Sequence, residues 1–236
     1  MIRSFLVLAV LFSVPAFVSG QVVSKKTPRP DLPGSFVFEF GFNQGSGSPT
    51  HFSQRFIGSN TINLYYQYPM RFGKSRFSFN PGIGFSFEKF KLKTTYTLTE
   101  TTTQGVFQLQ NVSSTYPDMK KSLIKNNYID IPLEFRFDTK PEDIAHSFNI
   151  AIGGRAGYLI DASTKIKYKE DGEKRKAIDK QKHGMNPFRY GVYTRIGLGA
   201  FGLFTYYNIS TLFEKDKGPD KTTMNTFTVG FSINGL

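Results

Sequence analysis

The sequence predicts an all-β protein, an up-and-down antiparallel transmembrane β-barrel of about eight strands. Three observations predict it. Segment after segment alternates apolar and polar residues at period two. The connections between those segments alternate between long and short. The polar faces carry carboxylates and guanidiniums that a soluble core would tolerate only as pairs.

The clearest segment is Asn127 to Phe137, NYIDIPLEFRF. Ile129, Ile131, Leu133, Phe135 and Phe137 fall on one face, and Tyr128, Asp130, Pro132, Glu134 and Arg136 on the other. The other strands repeat this pattern. Ser35 to Asn43 sets Phe36, Phe38, Phe40 and Phe42 opposite Glu39. Thr61 to Arg71 sets Ile62, Leu64, Tyr66, Tyr68 and Met70 opposite Asn63, Tyr65, Gln67 and Arg71. Arg76 to Glu88 sets Phe77, Phe79, Ile83, Phe85 and Phe87 opposite Ser78, Asn80, Ser86 and Glu88. Ser147 to Asp161 turns Phe148, Ile150, Ile152, Tyr158 and Ile160 one way and Asn149, Arg155 and Asp161 the other. Phe188 to Gly199 places Arg189, Tyr193 and Arg195 on the polar face. Gly202 to Phe213 and Met224 to Leu236 complete the series. Pro81 and Pro132 each remove a ladder donor, so a bulge is expected at both.

The stretch Lys89 to Asn126 is long and polar. Its first part still alternates weakly, which extends the hairpin above the membrane. Long connections also fall at Ala162 to Pro187 and at Glu214 to Thr223, and tight turns at Gly73-Lys74-Ser75 and Gly199-Ala200-Phe201. Long outer loops and short periplasmic turns are the barrel pattern. A soluble sandwich has no reason for it. In a barrel the apolar faces meet lipid and the charged faces line the lumen. Closure then satisfies the backbone and removes the sheet edges.

Composition narrows the function classes. With no cysteine among 236 residues there is no disulfide, thiol nucleophile, thiolate metal site or lipid-modified cysteine. The net charge is +12. The densest run, Lys165 to Lys182, mixes Lys and Arg with Glu170, Asp171, Glu173 and Asp179 and reads as a solvated loop, so no nucleic-acid partner is expected. A mean hydropathy of −0.29 does not exclude a barrel, because half of each strand faces the lumen.

Residues 1–20 read as a secretory signal peptide: Arg3, an apolar run from Phe5 to Val14, Pro15, then small residues before a cleavage between Gly20 and Gln21. Residues 21–34 form a flexible periplasmic leader and residues 35–236 the barrel domain. The expected location is the outer membrane.

The strand YIDIPLEFRF (Tyr128 to Phe137) resembles the Y-x-x-I-P-L strand of Bacteroidetes-type outer-membrane β-barrel proteins, the PorT-like or porin-family group. Gly202 to Gly218, GLFTYYNISTLFEKDKG, is similar to that group's penultimate strand and last loop, and Phe227 to Ile233, FTVGFSI, to its closing strand. The resemblance implies an outer-membrane barrel and no single activity, since some members assist a secretion system.

The candidate site is a lumen charge network of Glu39, Glu88, Asp130, Glu134, Arg136, Arg155, Asp161, Arg189 and Arg195. Asp130 and Glu134 are expected to pair with Arg155, Arg189 or Arg195. About eight strands leave little free bore, so the network reads as a plug, with a narrow charge-lined pore as the alternative. Gly197 to Gly202 matches G-x-G-x-x-G, but a strand rather than a helix follows, so it reads as a turn. His51, His146 and His183 lie in separate loops with no ligand spacing, and Ser53, Ser59 and His183 cannot be assembled into a nucleophile system from the sequence alone.

The sequence therefore predicts a structural, interaction or secretion-accessory barrel without cofactor or metal. A small passive pore and an enzyme acting at the outer loops are the alternatives. Expected partners are outer-membrane lipid and lipopolysaccharide, contacted by Lys-rich loops such as Lys174-Arg175-Lys176, the barrel-assembly machinery, and secretion-system or surface proteins.

Overall fold

A computed structural model describes residues Gly34–Gly235. The signal peptide, the cleavage site at Gly20 and Gln21, and all of the leader except Gly34 lie outside the described residues.

In chain order the strands are β1 (Ser35–Ser46), β2 (Asn60–Gln67), the two-residue β3 (Met70–Arg71), β4 (Phe77–Leu92), β5 (Tyr96–Glu100) and β6 (Phe107–Asn111). They continue with β7 (Lys121–Asp138), β8 (Phe148–Glu170), β9 (Glu173–Asp179), β10 (Phe188–Leu198), β11 (Phe201–Asn208) and β12 (Asn225–Asn234). Eight of them, β1, β2, β4, β7, β8, β10, β11 and β12, form one antiparallel ring, closed by β1 against β12 and by β8 against β10. Closure leaves no free edge around the barrel.

The alternation decides which side faces out. Phe36, Ile62, Phe85, Ile131, Phe135, Ile152, Val192, Leu203 and Phe231 are exposed large apolar residues on the outer wall. Their neighbours Val37, Asn63, Ser86, Asp130, Glu134, Ala151, Tyr193, Phe204 and Ser232 are buried inside. An outer wall this apolar is incompatible with water but suits lipid.

Several strands run further than the sequence pattern predicted, because the pattern changes phase. Through Phe87 the apolar residues of β4 point outward. From Lys89 the lysines point outward and Phe90 and Leu92 are buried inside. On β7, Ile124 is buried inside beside the outward Lys125. The strand continues, but its greasy face moves from lipid to the interior. β5 pairs with β6, and β9 pairs with the far half of β8.

Neither proline makes a bulge. The pairing of β4 with β7 keeps one register from Phe77↔Phe137 to Leu92↔Ser122, through Pro81↔Leu133. Pro132 has no N–H to offer, and only the rungs opposite Gly82 and Ile83 are missing before pairing resumes at Gly84↔Asp130. On its other side Pro132 stays in register with Arg155. The register shift lies instead where Asn127 pairs with Asp161 and Tyr128 with Leu159, which leaves Ile160 as the extra residue.

Candidate functional site: a filled lumen under an apolar cap

The lumen is filled by three guanidiniums and four carboxylates, all almost fully buried. Arg195 on β10 bridges two strands. Its Nη1 donates to Glu134 Oε2 at 2.5 Å and its Nη2 to Glu39 Oε1 at 2.7 Å. Glu39 also accepts from Arg155 Nη2 at 2.9 Å and from Asn63 Nδ2 at 2.7 Å. Nearer the outer end, Arg189 donates through Nε and Nη2 to both oxygens of Asp130, and through Nη1 to Glu88 Oε1 at 2.7 Å. Tyr65 joins the two groups: its hydroxyl donates to Asp130 at 2.9 Å while the Arg155 guanidinium lies 4.8 Å from its ring centre. Arg155 also lies over Tyr206 and Arg189 over Tyr128, at 4.5 and 3.9 Å.

Ion pairs this deeply buried are close to neutral in net stability against an apolar filling, because desolvation offsets the attraction. They do fix which strands face each other. A group robbed of its partner costs roughly 3–5 kcal/mol.

Two members of the predicted network sit elsewhere. Asp161 is not in the lumen. The extra residue Ile160 reverses the inside–outside order of β8, so Asp161 is exposed on the outer wall and accepts from Asn127 Nδ2 at 3.1 Å. Arg136 lies at the periplasmic end. There its Nε donates to Asp138 Oδ1 at 2.9 Å and it lines a cavity of about 320 Å³ with Arg71, Asn80 and Asn234.

The other end of the lumen was not legible in the sequence. Phe90, Ile124, Tyr128 and Leu159, all inward on barrel strands, join one buried apolar cluster with Phe52, Met185, Leu212, Phe213 and Met224 of the outer loops and Leu98 and Phe107 of the β5–β6 hairpin. Phe52 meets Phe90 and Phe213 edge-on. The outer loops thus fold down onto the barrel end and cap it with a small hydrophobic core. The phase change at Lys89 was the available signal, and it reads as weak alternation unless the strand is already known to continue.

The histidines stay apart. His51 stacks on Tyr96, His146 accompanies Asp143, and His183 is buried beside Phe107 with Nε2 3.2 Å from Asp179 Oδ2. Among the described residues no cluster of three or more His, Asp or Glu could hold a metal ion. Gly197 to Gly202 is a hairpin: Leu198 pairs with Phe201 around Gly199, whose φ of +60° suits glycine.

A closed eight-stranded barrel with an apolar outer belt and a polar, ion-paired interior is an integral barrel of the bacterial outer membrane. The chain belongs to the family described as "Outer membrane protein beta-barrel domain", which matches residues 29–214. Similar solved structures include Ail, the attachment invasion locus protein of Yersinia pestis, at 14% identity over 86% of this chain and 99% of that chain, with a TM-score of 0.37. Neisserial surface protein A is similar at 9% identity over 86% and 97%, also with a TM-score of 0.37. No curated protein matches the chain.

Proposed function

We propose that this outer-membrane barrel does not conduct solutes and works through its surfaces, as a structural or interaction protein or as an accessory to surface secretion. The observation that carries this reading is the filling of the lumen. Arg195 spans from Glu134 to Glu39, and Arg189 from Asp130 to Glu88, across the space a solute would need. The cap of Phe52, Phe90, Phe213 and Met224 lies above them. A pore that binds a solute must also release it, and an apolar cap over a lattice of tightly paired charges offers no polar path. Partners would therefore be protein segments or lipids meeting the outer loops and walls. No catalysis is part of this reading.

The test is solute efflux from vesicles that contain the full, folded chain. Release of a small sugar or amino acid no faster than from empty vesicles supports the reading. Release in proportion to protein content overturns it in favour of a passive pore. Steady conversion of an ester or peptide at the vesicle surface overturns it in favour of an enzyme.

A further inference from the structure

The outer wall of β4, β7, β8 and β9 changes character just above the lipid-facing belt. Below lie Phe87 on β4 and its partner Ile62 on the neighbouring β2, both exposed apolar residues at the upper edge of the belt. Above, the sheet register sets lysines directly beside one another. Lys89 is opposite Lys125, Lys121 is opposite Lys167, and Lys167 is opposite Lys176. Like charges in directly opposed positions destabilise a sheet. Among the described residues, none of these lysines, nor Lys165, has a carboxylate at ion-pair distance, whereas Lys120 and Lys217 elsewhere do. Burial, then Lys125 and Lys121, hold the Lys89 ammonium below the usual lysine range. Lys125 above all does the same to Lys165. Both ammoniums lie outside the membrane-spanning part of the strands.

A shallow groove of about 450 Å³ runs across this boundary. Its lower lip is Ile62 and Phe87, and its upper wall is Lys89, Lys125 and Lys165. Asp161, displaced to the outer wall by the extra residue in β8, borders it and is engaged by Asn127. The charge is crowded and, Asp161 notwithstanding, none of these lysines is held in an ion pair among the described residues, and the groove lies at the height where lipid headgroups meet water. Its apolar floor continues the lipid belt downward.

We propose that this groove binds the phosphorylated headgroup of an outer-leaflet lipid, with the phosphate on Lys89, Lys125 and Lys165 and the acyl chains along Ile62 and Phe87. The site rests on the barrel's place in the outer membrane and is independent of whether the lumen conducts. It differs from a Lys-rich loop acting through its tip, because Lys174 and Arg175 stand at the far end of the β8–β9 hairpin, where Arg175 already pairs with Glu170. An outer-leaflet lipid fits better than a soluble polyanion because the lower lip, Ile62 and Phe87, is continuous with the apolar belt while the lysines stand just above it.

The experiment folds the full chain into phosphatidylcholine nanodiscs and titrates bis-phosphorylated lipid A, its dephosphorylated form, and soluble hexametaphosphate. Three proteins are compared: wild type, Lys89→Ser/Lys125→Ser/Lys165→Ser, and the tip variant Lys174→Ser/Arg175→Ser. Wild type and the tip variant are expected to prefer the phosphorylated lipid. The groove variant is expected to bind it about 100-fold more weakly, at roughly one lipid-surface contact per lysine. Its folding is checked in neutral detergent, where loss of the crowded cations leaves it at least as heat-resistant as wild type. Unchanged lipid affinity in the groove variant overturns the proposal. So does equal affinity for the dephosphorylated lipid. Hexametaphosphate binding as tightly as lipid A and displacing it also overturns it, and identifies a soluble polyanion as the partner.

Discussion

Arg189 and Asp130 meet across a missing side chain. Arg189 on β10 and Asp130 on β7 both pair with Gly157 of the intervening β8, and the two-point contact between them passes directly over that glycine. A methyl group on Gly157 would overlap Asp130 Oδ1 and crowd the stem of Arg189. Gly157→Ala is therefore expected to destabilise the barrel by about 1–3 kcal/mol through overpacking alone. Urea unfolding from lipid vesicles measures this. A change within about 0.5 kcal/mol, the range of ordinary surface substitutions, would mean the pair does not depend on that space.

Arg195 is the sole guanidinium shared by Glu39 and Glu134 among the described residues. Arg195→Met leaves Glu134 without its ion-pair partner and is expected to cost roughly 3–5 kcal/mol. Adding Glu134→Gln to Arg195→Met removes the stranded charge and should recover a large part of that loss. A double-mutant cycle reads the coupling directly. Strict additivity of the two substitutions would show that the ion pair has no structural weight.

The eight strands and their inward and outward faces were legible because the lipid-facing part of each barrel strand keeps a period of two, as in Phe36, Phe38, Phe40 and Phe42 around Glu39. The pairing of Asp130 and Glu134 with lumen arginines was also legible, since residues of one face on neighbouring strands must meet in a narrow barrel. The position of Asp161 was not. Its side is set by the extra residue Ile160, and no glycine or proline marks that bulge. The two prolines that do stand out, Pro81 and Pro132, remove donors without adding a residue, so they thin the ladder and leave the register alone. The cap was hidden for a different reason: its members are scattered from Phe52 to Met224 and come together only when the outer loops fold inward.

The displaced Asp161 and the lumen Asp130 should respond differently to the same change. Asp161→Asn keeps an acceptor for Asn127 on an exposed wall and is expected to alter stability by less than about 0.5 kcal/mol. Asp130→Asn leaves Arg189 with Glu88 as its remaining carboxylate and should cost several-fold more, on the order of 3 kcal/mol. Equal effects of the two substitutions would return Asp161 to the lumen.

The crowded lysines give a pH dependence with a defined sign. Lys89 and Lys165 have folded-state values below the ordinary lysine value of 10.5. Between the lowered values and 10.5 the unfolded chain holds more protons than the folded one, so stability contributed by these groups rises with pH there. Below that window their mutual repulsion is fully present. In neutral detergent, Lys125→Ser should therefore be more stable than wild type near neutral pH, and its advantage should shrink as pH approaches 10.5. A constant difference across that window would show that Lys125 does not act through charge on its neighbours.

The most direct test of the sealed lumen is single-channel recording of the full chain folded into a planar lipid bilayer. With Arg195 held between Glu39 and Glu134 and the loop core closed above them, the barrel should insert without stable conductance steps at moderate voltage. Discrete, long-lived steps of uniform size from the wild-type protein would contradict the account.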